Sequence, residues 1–396
     1  MKKFLLLFLF FALCSASAQV RVAKSADRKL MVNMAGLRVG SDSASRTFFQ
    51  TLEKDLRLSG WFQPVRSSGD LQLRGSVEQS GASVKAKLQV TRAADRTLLL
   101  SKGYSLEAAR ARSLAHRVAD DIVEAITGRK GIASTKIVVI GTQSGAKELY
   151  LCDADGGGRV QITQDKSIIV GPNWQPNGSG LLYTSFKRGF PEIFSHQIQS
   201  GKRDIISKYS GLNTGATLSP DGKTLALILS KDGNPELYIQ RLGKKPVPLT
   251  TTAYANEASP TWSPDGQYLV YVSDRNGSPQ LYKISHNGGR AQLISSRGTE
   301  NVAPDWGPNG LIACSSRSGG RYHIAIINPA TGETRYLPND GADYEDPSWA
   351  PDGRHLVATR SIRYRSSLYL LDTVSDAPVA LITGGGDWLS PAWSPR

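Results

Sequence analysis

Pro260-Thr261-Trp262-Ser263-Pro264-Asp265-Gly266 is one of six variants of a single phrase that the chain repeats from residue 172 to its C-terminus. The others begin at Pro172, Ala216, Pro304, Pro347 and Pro391, and the last stops at Pro395 and Arg396. Trp174, Leu218, Trp262, Trp306, Trp349 and Trp393 hold the central position, at steps of 44, 44, 44, 43 and 44 residues. A period this strict means one supersecondary unit used repeatedly.

A second phrase keeps the same beat, as in Glu148-Leu149-Tyr150, Glu236-Leu237-Tyr238 and Gln280-Leu281-Tyr282. In the best-formed unit, residues 259–264, 267–274, 280–285 and 291–295 are short, alternating and rich in Val, Ile, Leu, Tyr and Trp, which reads as four strands. Asp265-Gly266 and Asn287-Gly288 tolerate positive φ and suit the turns between them. Four antiparallel strands in about 40–45 residues make a propeller blade. The Trp and Pro-Asp-Gly positions read as frame: Trp between blades, Pro-Asp-Gly in the turn.

The phase of the repeat predicts the closure. Residues 136–141 match a second strand of a blade, and residues 389–395 match a first strand with nothing after it. Joined, they complete one blade and hide two sheet edges. The predicted fold is a small α/β N-terminal domain followed by an all-β six-bladed propeller with a composite blade closed by the C-terminal strand.

Residues 1–18 carry Lys2 and Lys3, an apolar run from Phe4 to Leu13, and Ala16-Ser17-Ala18, which reads as a secretory signal cleaved after Ala18. Residues 19–29 read as a mobile arm, 30–130 as the α/β domain, 131–135 as a linker and 136–396 as the propeller. Within the α/β domain, strands are expected at 30–34, 71–77, 83–90 and 97–104. Helices are expected from Asp42 or Ser43 to Leu58 and from Ser105 to Thr127.

The formal net charge is +14. Residues 19–134 hold 20 Lys and Arg against 11 Asp and Glu, or +9, and residues 135–396 hold 26 against 23, or +3. In an exported chain this basicity can steer acidic partners. It lacks the basic stretches interleaved with aromatics that nucleic-acid binding needs. Cys152 and Cys314 fall in non-neighbouring blades and read as buried small residues, and no Cys/His cluster has metal-ligand spacing. No cofactor or metal is expected.

Residues on two sets of loops would share one propeller face. The loops entering the first strands carry Asn213, Thr214, Gly215, Ala216, Glu257, Ala258, Ser259, Glu300, Asn301, Glu345 and Asp387. The loops between second and third strands carry Lys187, Arg188, Arg275, Arg317, Arg321, Arg363 and Arg365. An acidic inner ring within a basic outer one would orient a charged partner. A peptidase reading needs a Gly-x-Ser-x-Gly elbow on a further domain, and the chain has no such pentapeptide. Glu345-Asp346 as glycosidase carboxylates is disfavoured, since adjacent loop residues are commonly solvated. The remaining alternative is a propeller holding a small ligand, glycan or peptide at its channel mouth, where Tyr254, Tyr344 and Trp388 are the aromatics on hand.

Across its length the mature chain resembles the TolB family of periplasmic proteins of Gram-negative bacteria. The resemblance rests on Leu56-Arg57-Leu58-Ser59-Gly60-Trp61-Phe62-Gln63-Pro64, on Ile126-Thr127-Gly128-Arg129-Lys130-Gly131, and on the closing Ser390-Pro391-Ala392-Trp393-Ser394-Pro395. It implies a non-catalytic adaptor that binds the peptidoglycan-associated lipoprotein Pal through the propeller face and TolA through the arm residues Gln19, Val20, Arg21 and Val22. The complex would keep the outer membrane intact and support its constriction at division, peripheral to membranes and with other envelope proteins as further partners. In the family the lipoprotein contacts match Asn213, Thr214, Gly215, Ala216 and Ala258 with its neighbours. The second repeat departs by losing its Trp and its leading Pro.

Overall fold

The computed structural model describes residues 28–241, 243–374 and 377–396. The signal, its cleavage site and the arm residues Gln19, Val20, Arg21 and Val22 lie outside the described residues.

The N-terminal domain contains β1 (Leu30–Val39), α1 (Ser43–Leu58), β2 (Phe62–Val65), β3 (Leu71–Ser80), β4 (Ser83–Arg92), β5 (Leu98–Glu107) and α2 (Ala111–Thr127). The sheet order is β2-β1-β3-β4-β5, with β1 parallel to both its neighbours and the rest antiparallel. Asp42 caps α1, its carboxylate accepting the Ser45 N–H at 2.7 Å. Phe48, Leu52 and Leu56 of α1 and Leu114, Val118, Ile122 and Ile126 of α2 share one core. Gly128 ends α2 in the left-handed conformation at φ 70°.

Three details differ from the expected elements: β1 runs past residue 34 to Val39, because residues 36–39 pair with residues 74–77 of β3. α2 starts at Ala111, because residues 105–107 pair with β4 through Lys85↔Ser105, Val84↔Leu106 and Ser83↔Glu107. The four-residue β2 was not anticipated as a strand. It holds Pro64, which lacks an N–H and fits because β2 is an edge strand paired only with β1.

The propeller has six four-stranded sheets. Its innermost strands are Ile169–Trp174, Asn213–Leu218, Glu257–Trp262, Glu300–Trp306, Asp343–Trp349 and Trp388–Trp393, which head blades 1 to 6. Blade 6 is composite. Trp388 pairs with Gly141 and Trp393 with Ile137, so the C-terminal strand closes the ring on Lys136–Gly141. Two of the repeated Trp residues bridge blades by hydrogen bonds, Trp262 Nε1 donating to the Thr217 carbonyl at 3.2 Å and Trp174 Nε1 to the Ala392 carbonyl at 2.9 Å, whereas Trp306 Nε1 donates to the Gly310 carbonyl of its own blade at 3.1 Å.

Residues 131–135 are stapled into both domains. Ile132 packs in the core shared by blades 5 and 6, and Ala133 in that of the N-terminal domain. Asp120 of α2 accepts the Ala133 and Ser134 N–H groups at 2.8 and 2.9 Å. Arg354 adds a second tie, donating to Asp372 at 2.9 and 2.6 Å and to the Gly60 carbonyl at 3.0 Å while lying over the Trp61 ring. No helix among the described residues is long and apolar enough to cross a membrane.

Candidate partner-binding face

Antiparallel order puts the start of each innermost strand beside the end of the second, as in Glu257↔Ser273, and that end beside the start of the third, as in Ser273↔Gln280. One face of the ring therefore collects all the entering loops and all the second-to-third-strand loops. The Glu-Leu-Tyr phrase shapes this face. Glu148, which begins a third strand, accepts from Thr163 Oγ1 at 2.5 Å and from the Lys166 N–H at 2.6 Å. Glu236 accepts from Thr250 and Thr252 hydroxyls at 2.6 and 2.8 Å, and Gln280 Oε1 accepts from Ser295 Oγ at 2.6 Å. Buried acceptors thus hold down the loop that leads into the next blade.

The channel mouth is a cavity of about 410 Å³ lined by Thr214, Gly215, Ala258, Ser259 and their counterparts from other blades. At its rim each innermost strand carries one residue in the left-handed region: Gly171 (φ 58°), Gly215 (62°), Ser259 (48°), Ala303 (49°), Asp346 (50°) and Ser390 (44°). A register break falls beside each of them. Four bear a Cβ, at a cost of about 1–2 kcal/mol each. At Gly215 an added Cβ would stand 3.0 Å from Pro260 Cδ.

The residues singled out from the sequence fall into three groups, with Glu345 and Asp387 outside them. Thr214, Gly215, Ala258 and Ser259 line the mouth. Asn213, Ala216 and Asn301 are buried. Asn213 spends its side chain on Ser207, Tyr209 and Gly211, and Asn301 on Gln280 and Arg297, so both mould loops.

Glu257, Arg275, Glu300 and Arg317 form pairs. Arg275 Nη2 reaches Glu257 Oε1 at 2.9 Å and the Tyr271 hydroxyl at 2.8 Å, and Arg317 Nη1 reaches Glu300 Oε1 at 2.9 Å. Burial raises the Glu257 carboxyl above its ordinary value despite Arg275, whereas hydrogen bonds from Tyr322 and Arg317 lower that of Glu300. Glu345 is half-buried and raised by burial and by the nearby Asp346 and Asp343. Asp387 accepts the Ser366 N–H at 2.9 Å.

The expected separation into an acidic inner and a basic outer ring does not hold, because the loops are close enough to neutralise each other. Asp165 pairs with Lys187 and Arg203, and Asp340 with Arg360. Left over are Lys147, Lys166, Lys208, Arg297, Arg321, Arg363 and Arg365, all exposed, whose side chains make no hydrogen bond or ion pair among the described residues. Asp274, Asp343, Glu345 and Asp387 likewise have no cationic partner among the described residues, so the face carries unpaired charges of both signs, with Arg321, Arg363 and Arg365 gathered on two adjoining loops. Of the three aromatics noted on the entering loops, Tyr254 is 97% exposed, while Tyr344 and Trp388 are core residues at 1% and 0%.

Sequence reading missed a buried charge cluster at the domain joint. His116 of α2 contacts Asp55 of α1 at 2.7 Å through Nδ1 and Asp153 of blade 6 at 3.1 Å through Nε2. Arg112 pairs with Asp153 and Asp155 at 2.9 and 2.6 Å, and Lys136 also binds Asp153. Burial disfavours the imidazolium, yet the hydrogen bonds to Asp153 and Asp55 outweigh it and push His116 up to about 9. His116, Asp153 and Asp155 lie close enough to share a cation, but Arg112, Lys136 and His116 already neutralise those oxygens. A pattern linking positions 55, 116 and 153 leaves no local signature.

A match to the TolB beta propeller domain spans residues 123–396. Among curated relatives, the Tol-Pal system protein TolB of Legionella pneumophila (strain Corby) is 30% identical over 182 residues, 41% of this chain and 43% of that protein. That of Polaromonas sp. (strain JS666) is 32% identical over 208 residues, 47% and 49% respectively. The alignments thus span less than half the length of these curated relatives. The crystal structure of TolB from Acinetobacter baumannii superposes with a TM-score of 0.83 at 25% identity, covering 94% of this chain and 98% of that one. With a domain match over more than half its length and this two-domain likeness, the chain belongs to the TolB family.

Proposed function

We propose that this chain is a non-catalytic periplasmic adaptor of the Tol-Pal system. It docks the peptidoglycan-associated lipoprotein Pal on the channel-mouth face and meets TolA through the arm residues Gln19, Val20, Arg21 and Val22. In that role it maintains outer-membrane integrity and supports envelope constriction during division. The reading is carried by the near-complete two-domain likeness to a TolB structure, together with relatives named as Tol-Pal system proteins. The mouth supports it further: Glu257, Glu300 and Asp165 are paired with neighbouring arginines, while Arg321, Arg363 and Arg365 stay unpaired among the described residues, which suits docking of a charged partner.

The test is a pulldown of tagged mature protein from crosslinked envelopes, with Thr214→Trp as the control. The wild type recovers a lipoprotein carrying a peptidoglycan-binding domain, and the variant, its mouth filled, loses it at least tenfold. Recovery of no such lipoprotein by the wild type refutes the adaptor reading. Thr214 serves better than Glu257 because Glu257 is only 1% exposed and its reversal would bury two cations together. A second reading, a small ligand or glycan at the mouth, is favoured by the cavity of about 410 Å³, a size typical of ligand pockets. Calorimetric titration with envelope glycans distinguishes it.

A further inference from the structure

Blades 4 and 5 join their second and third strands differently from the rest. In the other four blades a six-residue loop connects them, as at residues 142–147, 186–191, 230–235 and 274–279. Blade 4 continues its ladder through Arg317↔Tyr322 and Ser318↔Arg321 to a two-residue turn, and blade 5 through Ser361↔Ser366 and Ile362↔Arg365. Two tight hairpins therefore stand side by side on the channel-mouth face.

Both turns place their two central residues at positive φ, the conformation that matches strand twist and favours Gly or Asn. Blade 4 meets the demand with Gly319 and Gly320, at φ 60° and 80°. Blade 5 instead uses Arg363 (φ 49°) and Tyr364 (φ 62°). Tyr364 is fully exposed and Ile362 is 46% exposed, and neither Arg363 nor Arg365 has a partner among the described residues. Packing does not account for two strained, solvent-facing side chains where the neighbouring blade uses glycine; retained strain of this kind marks contact sites.

We propose that the blade 5 hairpin, residues 362–365, together with Arg321 of blade 4, grips an acidic segment of the protein docked on this face. This rests on the channel mouth being the docking face. Arg363, Arg365 and Arg321 offer planar forks matched to carboxylates, and Tyr364 and Ile362 take an apolar side chain between them. A protein segment fits better than a bilayer, because the hairpins share their face with a concave mouth that a chain can enter and a flat membrane surface cannot follow.

The test uses the whole mature protein and three variants: Arg363→Gly with Tyr364→Gly, Arg321→Glu, and Arg365→Glu. Fluorescence anisotropy reads binding of a labelled 16-residue Glu/Leu peptide, its Lys/Leu counterpart, and vesicles with 30% phosphatidylglycerol, at low and high salt. The Glu/Leu peptide binds the wild type, weakens with salt, and loses at least tenfold affinity in each variant, while the Lys/Leu peptide and vesicles bind weakly. The double-glycine variant also melts at a higher temperature than the wild type, separating lost contact from lost fold. Peptide binding unchanged in the variants, or vesicles bound more tightly than the peptide, overturns the proposal. A Pal domain that binds the wild type and the double-glycine variant equally overturns it while leaving the adaptor reading intact. Peptide binding as stated, with no Pal domain bound by either protein, supports the hairpin and removes Pal as the partner.

Discussion

Removing the Arg354 guanidinium should weaken the joint between the domains far more than an average surface change. Arg354 and Asp372 are 8% and 3% exposed and joined by two hydrogen bonds at 2.9 and 2.6 Å. The same guanidinium donates to the Gly60 carbonyl at 3.0 Å and lies 4.7 Å from the Trp61 ring centre. In Arg354→Met the stem remains, but Asp372 keeps only the Val374 N–H at 2.9 Å and a distant His355. A buried carboxylate stripped of its partner costs about 3–5 kcal/mol.

Arg354→Met combined with Asp372→Leu removes both charges, and the loss should shrink to the contacts with Gly60 and Trp61. A hydrogen bond from a charged donor and a cation–π contact together contribute about 2–3 kcal/mol. Urea denaturation at pH 7, followed by tryptophan fluorescence, supplies the double-mutant cycle. A single substitution costing less than about 1 kcal/mol, or a double variant no more stable than the single, would refute the buried-pair account.

Two further outcomes are expected. His116 rises from 6.5 to about 9 in the folded state, so its stabilisation is complete below pH 6.5 and lost as pH climbs to 9; denaturation across that window should show a loss on the order of 2 kcal/mol, which His116→Gln flattens. Ala303→Gly relieves a left-handed φ of 49° at the channel rim and should stabilise by about 0.5–1 kcal/mol, read as a higher melting temperature; unchanged or lower stability would mean the rim carries no strain.

Much of the architecture could be read from residue order. The 43- and 44-residue steps between tryptophans announced the blades, and a last copy lacking its continuation announced closure on residues 136–141. Amphipathic spacing located the end of α1 at Leu58 and its start to within one residue, the structure choosing Asp42 over Ser43 as the cap, with Phe48, Leu52 and Leu56 recurring on one face. The start of α2 was misplaced because residues 105–107 have a neighbouring strand to pair with, and β2 was missed because it is short and contains Pro64. The mouth was located from the phase of the repeat, which brings Thr214, Gly215, Ala258 and Ser259 to one rim.

Ring size, closure and the position of the rim follow from local, periodic information: each blade repeats the same short-range pattern, so its order along the chain carries into space. The charge of the face does not follow in that way. Glu257 and Arg275 read as opposing rings until the fold brings them to 2.9 Å, and Asn213 reads as a loop tip until its amide is spent on its own turn. Whether a side chain is free or paired depends on contacts between residues far apart in sequence, with Asp55, His116 and Asp153 at the joint as the clearest case. The order of residues specified where the channel rim lies; only the packed chain decided which charges beside it stay unpaired.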